Sequence, residues 1–102
     1  FPYTTLFRSQ PLKQLLSQLA EQHQIYDVLV EAGATLSTAF LQEQLVDELI
    51  SYVAPTLLGQ SARTMFNAEF SLMAEQLRFK LRDVTRLGDD VRFRLIPFQE
   101  TL

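Results

Sequence analysis

Apolar residues recur after Pro11 at Leu12, Leu15, Leu16, Leu19 and Ala20, the i, i+3, i+4, i+7, i+8 series of a helix with one buried face. Pro11 suits the first turn of that helix, because the N–H it lacks would have no intrahelical partner there. His23 falls at or just past the helix end, where an imidazole meets unpaired carbonyls and the negative end of the dipole. A catalytic role for His23 would need partners that this sequence does not supply. Ile25 to Val30 is then a nearly continuous apolar run rich in β-branched residues, which predicts a parallel strand covered on both faces. A second helix is expected from about Ala34 to Gln44, with Leu36, Ala39, Phe40 and Leu41 inward. Asp47 to Ala54 reads as the next strand, stopped by Pro55, which cannot donate to a ladder.

Gly59 to Met65 is expected to be a loop with one short turn. Beyond it, Leu77, Phe79 and Leu81 alternate with Arg78, Lys80 and Arg82, and after Gly88-Asp89-Asp90 the run Val91, Phe93, Leu95 alternates with Arg92 and Arg94. This predicts a hairpin with one dry face and one cationic face. The alternation changes phase near Asp83-Val84, which places a β-bulge there. Alternating strand and helix patterns make the fold class α/β: part of a mostly parallel sheet flanked by helices and ending in an antiparallel hairpin.

Composition narrows the function classes. A chain of 102 residues with 47% hydrophobic and 21% charged positions is at most one globular domain. There is no cysteine and one histidine, so a disulfide or thiolate metal site is excluded and a zinc site is not expected. A net charge of −3 argues against a general nucleic-acid binder, whose affinity depends on neutralising phosphates. Six of the nine basic residues (Arg78, Lys80, Arg82, Arg86, Arg92, Arg94) lie in the hairpin. They read as the charged protection of an exposed sheet face, since the alternation puts Phe79 and Phe93 on the other face and leaves no aromatic residue beside the basic ones as in a stacking platform. No apolar run approaches the ~20 residues of a membrane span, and no signal-peptide pattern opens the chain. A cytoplasmic setting, with neither nucleic acid nor membrane as partner, fits these features.

The chemistry points to Glu31-Ala32-Gly33-Ala34-Thr35-Leu36, where the apolar run Val28-Leu29-Val30 ends in an acid and a glycine and opens into a helix. The first N–H groups of a helix are unpaired and carry partial positive charge, and a glycine there lets an anion approach the backbone. Thr35 and Ser37 add hydroxyls at the same turn. One glycine does not make a dinucleotide fingerprint, and no P-loop lysine follows. Asp47 and Glu48 look like a carboxylate pair, but adjacent strand residues point to opposite faces and cannot act on one bond. They read as surface or interface residues at the start of a strand.

From Val28 to Gly59 the chain resembles the reductase domain of the bacterial riboflavin-biosynthesis bifunctional deaminase/reductase. Val30-Glu31-Ala32-Gly33-Ala34-Thr35-Leu36, then Leu45-Val46-Asp47-Glu48-Leu49, then Ala54-Pro55-Thr56-Leu57-Leu58-Gly59 stand in that family's order and spacing, and the hairpin around Leu87-Gly88-Asp89-Asp90-Val91 continues the likeness. The resemblance implies a dihydrofolate-reductase-like fold and NADPH-dependent reduction of 5-amino-6-(5-phosphoribosylamino)uracil, its ribosyl group becoming ribityl. It implies that Glu31 contacts the substrate, and that Gly33, Ala34, Thr35, Leu36, Ser37, Thr38 and Ala39 form the NADPH-binding segment. It further implies a homodimer in the parent, with zinc only in a deaminase domain that has no counterpart here. Two positions depart from the pattern. Ala34 stands where proline is usual, and Thr38 stands where a small residue is often found and would either crowd the cofactor or donate to it. Without the resemblance, Glu31 is a dipole-stabilising acid at a helix start.

Phe1 to Ser9 matches nothing in that family and reads as the translation of a common sequencing-library adapter, a non-native segment; a native β-strand is the alternative. Gln10 to Leu102 then corresponds to the C-terminal half of a reductase domain, a fragment expected to be inactive alone. A small non-enzymatic nucleotide-binding or assembly module is the alternative function. The upstream reading frame separates the two: a reductase half preceded by H-x-E and P-C-x-x-C supports the enzyme, and a start codon near Gln10 supports the module.

Overall fold

A computed structural model describes residues 11–67 and 76–98. Phe1–Ser9, expected to be adapter-derived, lies outside the described residues. Within them, residues 11–45 with 64–67 cluster into one compact unit, and residues 46–63 with 76–98 into another.

The first unit holds two helices, α1 (Leu12–His23) and α2 (Ala34–Gln42). The apolar stripe of α1 behaves as its spacing predicts, with Leu12 and Leu15 buried. Pro11 is its N-cap and accepts the N–H of Leu15 at 3.1 Å. His23 is the last residue of the helix and is exposed. Gln24 ends α1 in the left-handed region at φ 53, where its own N–H and that of Ile25 both reach the carbonyl of Leu19. That conformation satisfies a carbonyl left over at the helix end, at a steric cost a glycine would avoid. α2 buries Phe40, Leu41 and Thr38. It ends two residues before the expected Gln44, which instead takes φ 59 beyond the helix.

The expected parallel strand at Ile25–Val30 is not formed among the described residues. The segment is irregular, and Tyr26 and Leu29 stand 76% and 78% exposed. Apolar content predicts that a segment seeks burial, but a strand exists only through a neighbour that pairs with it. A parallel neighbour must be reached by a long crossover. The described residues on either side of this run are helical and offer none.

The second unit is a three-stranded antiparallel sheet, β1 (Leu49–Val53), β2 (Phe79–Leu87) and β3 (Asp90–Pro97), in the order β1-β3-β2. No parallel pair of the mostly parallel sheet expected from the sequence is formed among the described residues, whose sheet is antiparallel throughout; the hairpin stands as expected. Gly88 supplies the positive φ of 64 at the first position of the two-residue turn, a conformation that glycine adopts without strain. Between β1 and β2, the N–H of Ala62 reaches the carbonyl of Gly59 at 2.9 Å, the one short turn anticipated there.

β2 and β3 pair Leu81 with Leu95 and then Asp83 with Arg94, leaving Arg82 as the extra residue of a bulge. The phase change thus comes one residue earlier than the alternation suggests. It sets Val84 opposite Phe93 on the apolar face, and Asp83 and Thr85 opposite Arg94 and Arg92 on the polar one. The apolar face is not dry throughout, since Leu81 and Val84 are half exposed.

Candidate functional site

Gly33 is the N-cap of α2, with φ −72 and ψ −179. This is ordinary extended backbone, so the fold does not demand glycine there. A Cβ built on Gly33 would meet nothing within 4 Å, and no side chain caps the helix. The first N–H groups of α2 have no intrahelical partner and carry partial positive charge. Gly33 to Leu36, with leucines of α1, Val28 to Ala32 and Phe40, line a cavity of about 590 Å³. Glu31 is exposed at its edge.

The turn carries three hydroxyls, which differ in what they are free to do. Ser37 Oγ donates back to the carbonyl of Ala32 at 3.2 Å. Thr38 is buried, and its Oγ1 accepts the backbone N–H of Asn67 at 3.0 Å. Thr35 lies one turn earlier on the same helix face and accepts from Asn67 Nδ2 at 3.1 Å. Of the predicted segment, Gly33, Ala34, Thr35 and Leu36 line the cavity together with Glu31; Ser37, Thr38 and Ala39 do not. Sequence reasoning missed Asn67. Its partners lie 29 and 32 positions away, and a lone asparagine in a loop gives no local signal.

A second polar cluster occupies the sheet. Glu48 sits just before β1 and receives Arg94 at two points, Nε to Oε1 at 2.8 Å and Nη2 to Oε2 at 3.1 Å. Arg82 joins Oε2 at 3.2 Å. The hydrogen bond from Arg94 holds the Glu48 carboxyl below its ordinary range, with the charges of Arg94, Arg82 and Arg92 assisting against some desolvation. The same contact raises Arg94. Arg92 lies 3.7 Å from Asp83. Arg86 lies 3.9 Å from Asp89 in the turn. Of the six hairpin cations, Arg82, Arg86, Arg92 and Arg94 are thus engaged by acids of this chain, and the solvated face of the sequence reading is partly an ion-pair network. Arg78 stacks over Phe98, 5.3 Å from the ring centroid. Among the described residues no group of His, Cys, Asp and Glu is arranged to hold a metal.

The profile of the RibD C-terminal domain family matches residues 3–93. The chain belongs to this family. It is 43% identical over 83 residues to the riboflavin biosynthesis protein RibD of Escherichia coli, covering 80% of this chain and 22% of that protein. It is 39% identical over 77 residues to the 5-amino-6-(5-phosphoribosylamino)uracil reductase of Buchnera aphidicola from Acyrthosiphon pisum, covering 74% of this chain and 37% of that one. A solved structure of Acinetobacter baumannii RibD superposes with a TM-score of 0.85 at 73% identity, over 87% of this chain and 25% of that one. The chain therefore spans a quarter or less of the RibD proteins cited and under two fifths of the shorter reductase. Glu31 to Leu36 is the part of this chain where an acid, an open glycine, a helix start without a side-chain cap and the Thr35 hydroxyl line one cavity.

Proposed function

We propose that this chain is the C-terminal part of the reductase domain of an NADPH-dependent 5-amino-6-(5-phosphoribosylamino)uracil reductase in riboflavin biosynthesis. The observation that carries the proposal is the turn at Gly33, where a helix start without a side-chain cap and the Thr35 hydroxyl line one cavity and the space beside the Gly33 Cα is open. Such a turn suits a phosphate-bearing cofactor. Backbone N–H groups and a hydroxyl bind its anion, and the apolar walls exclude water from its remainder.

Bound NADPH supplies a hydride that reduces the ribosyl carbon on the way to ribityl. The residues of this chain supply part of the binding. Gly33, Ala34, Thr35 and Leu36 hold and orient the cofactor's phosphate end. Glu31, at the same rim, meets the substrate's polar groups and fixes its approach to the nicotinamide. Ser37 and Thr38 serve the turn from behind, Ser37 by bonding Ala32 and Thr38 by bonding Asn67.

The same reading makes the parent a cytoplasmic homodimer and gives Ile25–Val30 a place in a parallel sheet whose other strands come from the remainder of the reductase domain. It leaves the chain inactive alone, because part of a cleft cannot fix two reactants in a reactive geometry. Among the described residues no helix is long and apolar enough to cross a membrane. Purified full-length protein carrying this sequence is expected to oxidise NADPH in the presence of the aminouracil substrate. Binding of NADPH with no turnover of that substrate would favour the non-enzymatic module.

A further inference from the structure

We infer that Asn67 is a positioning residue for cofactor binding, acting by setting the direction in which the Thr35 hydroxyl points its proton. The inference rests on the reading that the turn at Gly33 takes the cofactor. A threonine hydroxyl has one proton and two lone pairs. The Asn67 amide spends a donor on Thr35 Oγ1 at 3.1 Å, and Thr35 makes no other hydrogen bond among the described residues. Its proton is therefore committed to no other group among the described residues, and Thr35 lines the cavity; an anionic acceptor such as a phosphate oxygen is what that proton fits.

Asn67 is itself held in place. Its backbone N–H donates to Thr38 Oγ1 at 3.0 Å, and Thr38 is 5% exposed. Thr35 and Thr38, one helical turn apart, thus receive a side-chain and a backbone donor from one loop residue. A hydroxyl that would otherwise rotate among solvent, a helix carbonyl and the ligand is restricted before the ligand arrives, which lowers the ordering cost of binding. The buried Thr38, which the resemblance puts in the cofactor-binding segment, also anchors Asn67, the residue that orients Thr35.

The direction of the hydrogen bond makes this testable. Asn67→Asp replaces the donor by a group that only accepts, so Thr35 turns its proton toward position 67 and away from the cavity. In full-length protein carrying this sequence, NADPH affinity is read by fluorescence titration and turnover by steady-state kinetics. Thr35→Val is expected to raise the Kd for NADPH about tenfold, the loss of one charge-assisted hydrogen bond. Asn67→Ala should raise it roughly three- to fivefold and Asn67→Asp by more than tenfold, with kcat at saturating NADPH little changed.

In the Thr35→Val background the two position-67 variants should differ only by repulsion between the new carboxylate and the phosphate. That residue of the effect shrinks with added salt, whereas the reversal of hydrogen-bond direction does not. Equal losses from Asn67→Ala and Asn67→Asp, or full additivity of either with Thr35→Val, would overturn the role of Asn67 while a Gly33→Val binding defect kept the cofactor site intact. If Gly33→Val also leaves NADPH binding unchanged, the reading of the turn fails and the inference falls with it.

Discussion

Glu48 and Arg94, 46 positions apart in the chain, form a two-point ion pair that ties the start of β1 to the middle of β3. Arg82, the extra residue of the β2 bulge, reaches the same carboxylate, so one acid holds all three strands. Nothing in the alternation of the hairpin names Glu48 as its partner.

The pair makes stability depend on acid. Arg94 depresses the folded-state pKa of Glu48 below its ordinary 4.5, so the contribution is present above that value and is lost as pH falls through the lowered pKa. The same contact raises the Arg94 pKa, and its guanidinium stays charged throughout this window. Glu48→Gln should therefore unfold more readily than wild type at pH 7, and the two should converge as the pH drops below about 4. Thermal midpoints measured from pH 7 to pH 3 check this. Parallel curves would mean that the pair contributes nothing.

Gly33→Val should leave the fold intact, because φ −72 and ψ −179 lie where valine is comfortable. In full-length protein its Kd for NADPH should rise roughly ten- to a hundredfold, the side chain occupying the space where a phosphate approaches the backbone. Near-UV circular dichroism tests the first half and titration the second.

Glu31→Gln keeps the shape of the turn and removes a charge. Its defect should appear in kcat/KM for the aminouracil substrate, by about tenfold or more, with NADPH affinity nearly unchanged. Equal losses in cofactor and substrate binding would mean that the acid supports the turn and does not contact the substrate.

Gln24→Gly should stabilise the protein. Gln24 holds φ 53 at the end of α1, a conformation that costs a residue with a Cβ roughly 1–2 kcal/mol, partly offset by the greater entropy of unfolded glycine. A net gain of about 0.5–1 kcal/mol in denaturant unfolding is expected, and Gln24→Ala should give none of it.

The isolated chain should self-associate. Val28, Leu29 and Val30 are 48%, 78% and 37% exposed, an apolar run with strand-forming residues and no ladder among the described residues. Light scattering that reports a clean monomer at micromolar concentration would count against the parallel-sheet part of the proposal.

What could be read from the sequence was local. The stripe at Leu12, Leu15 and Leu19 marks α1, the alternation through Phe93 and Leu95 marks β3, and a slip in phase marks the bulge to within a residue or two. These signals arise from the 3.6- and 2-residue periods, which any short window contains. Relationships between distant positions were not legible: Asn67 against Thr35 and Thr38, and Glu48 against Arg82 and Arg94. Ile25–Val30 shows the same limit from the other side, since its composition states a need for burial but not what supplies it. At the turn, the sequence offered Thr35 and Ser37 as hydroxyl donors and left Thr38 open between crowding and donating, and their hydrogen-bond partners set the three apart.

The bulge at Arg82 also bears on how the hairpin can change length. Leu81 already faces Leu95 and Asp83 already faces Arg94, so removing Arg82 would close a straight ladder and leave every other side chain of β2 on its present face. Loss of a residue elsewhere in the paired part of β2, such as Val84 or Thr85, would instead exchange inside for outside along part of the strand. The hairpin thus has a position at which a one-residue deletion costs little more than Arg82's contact with Glu48, and insertions and deletions among related sequences should gather there.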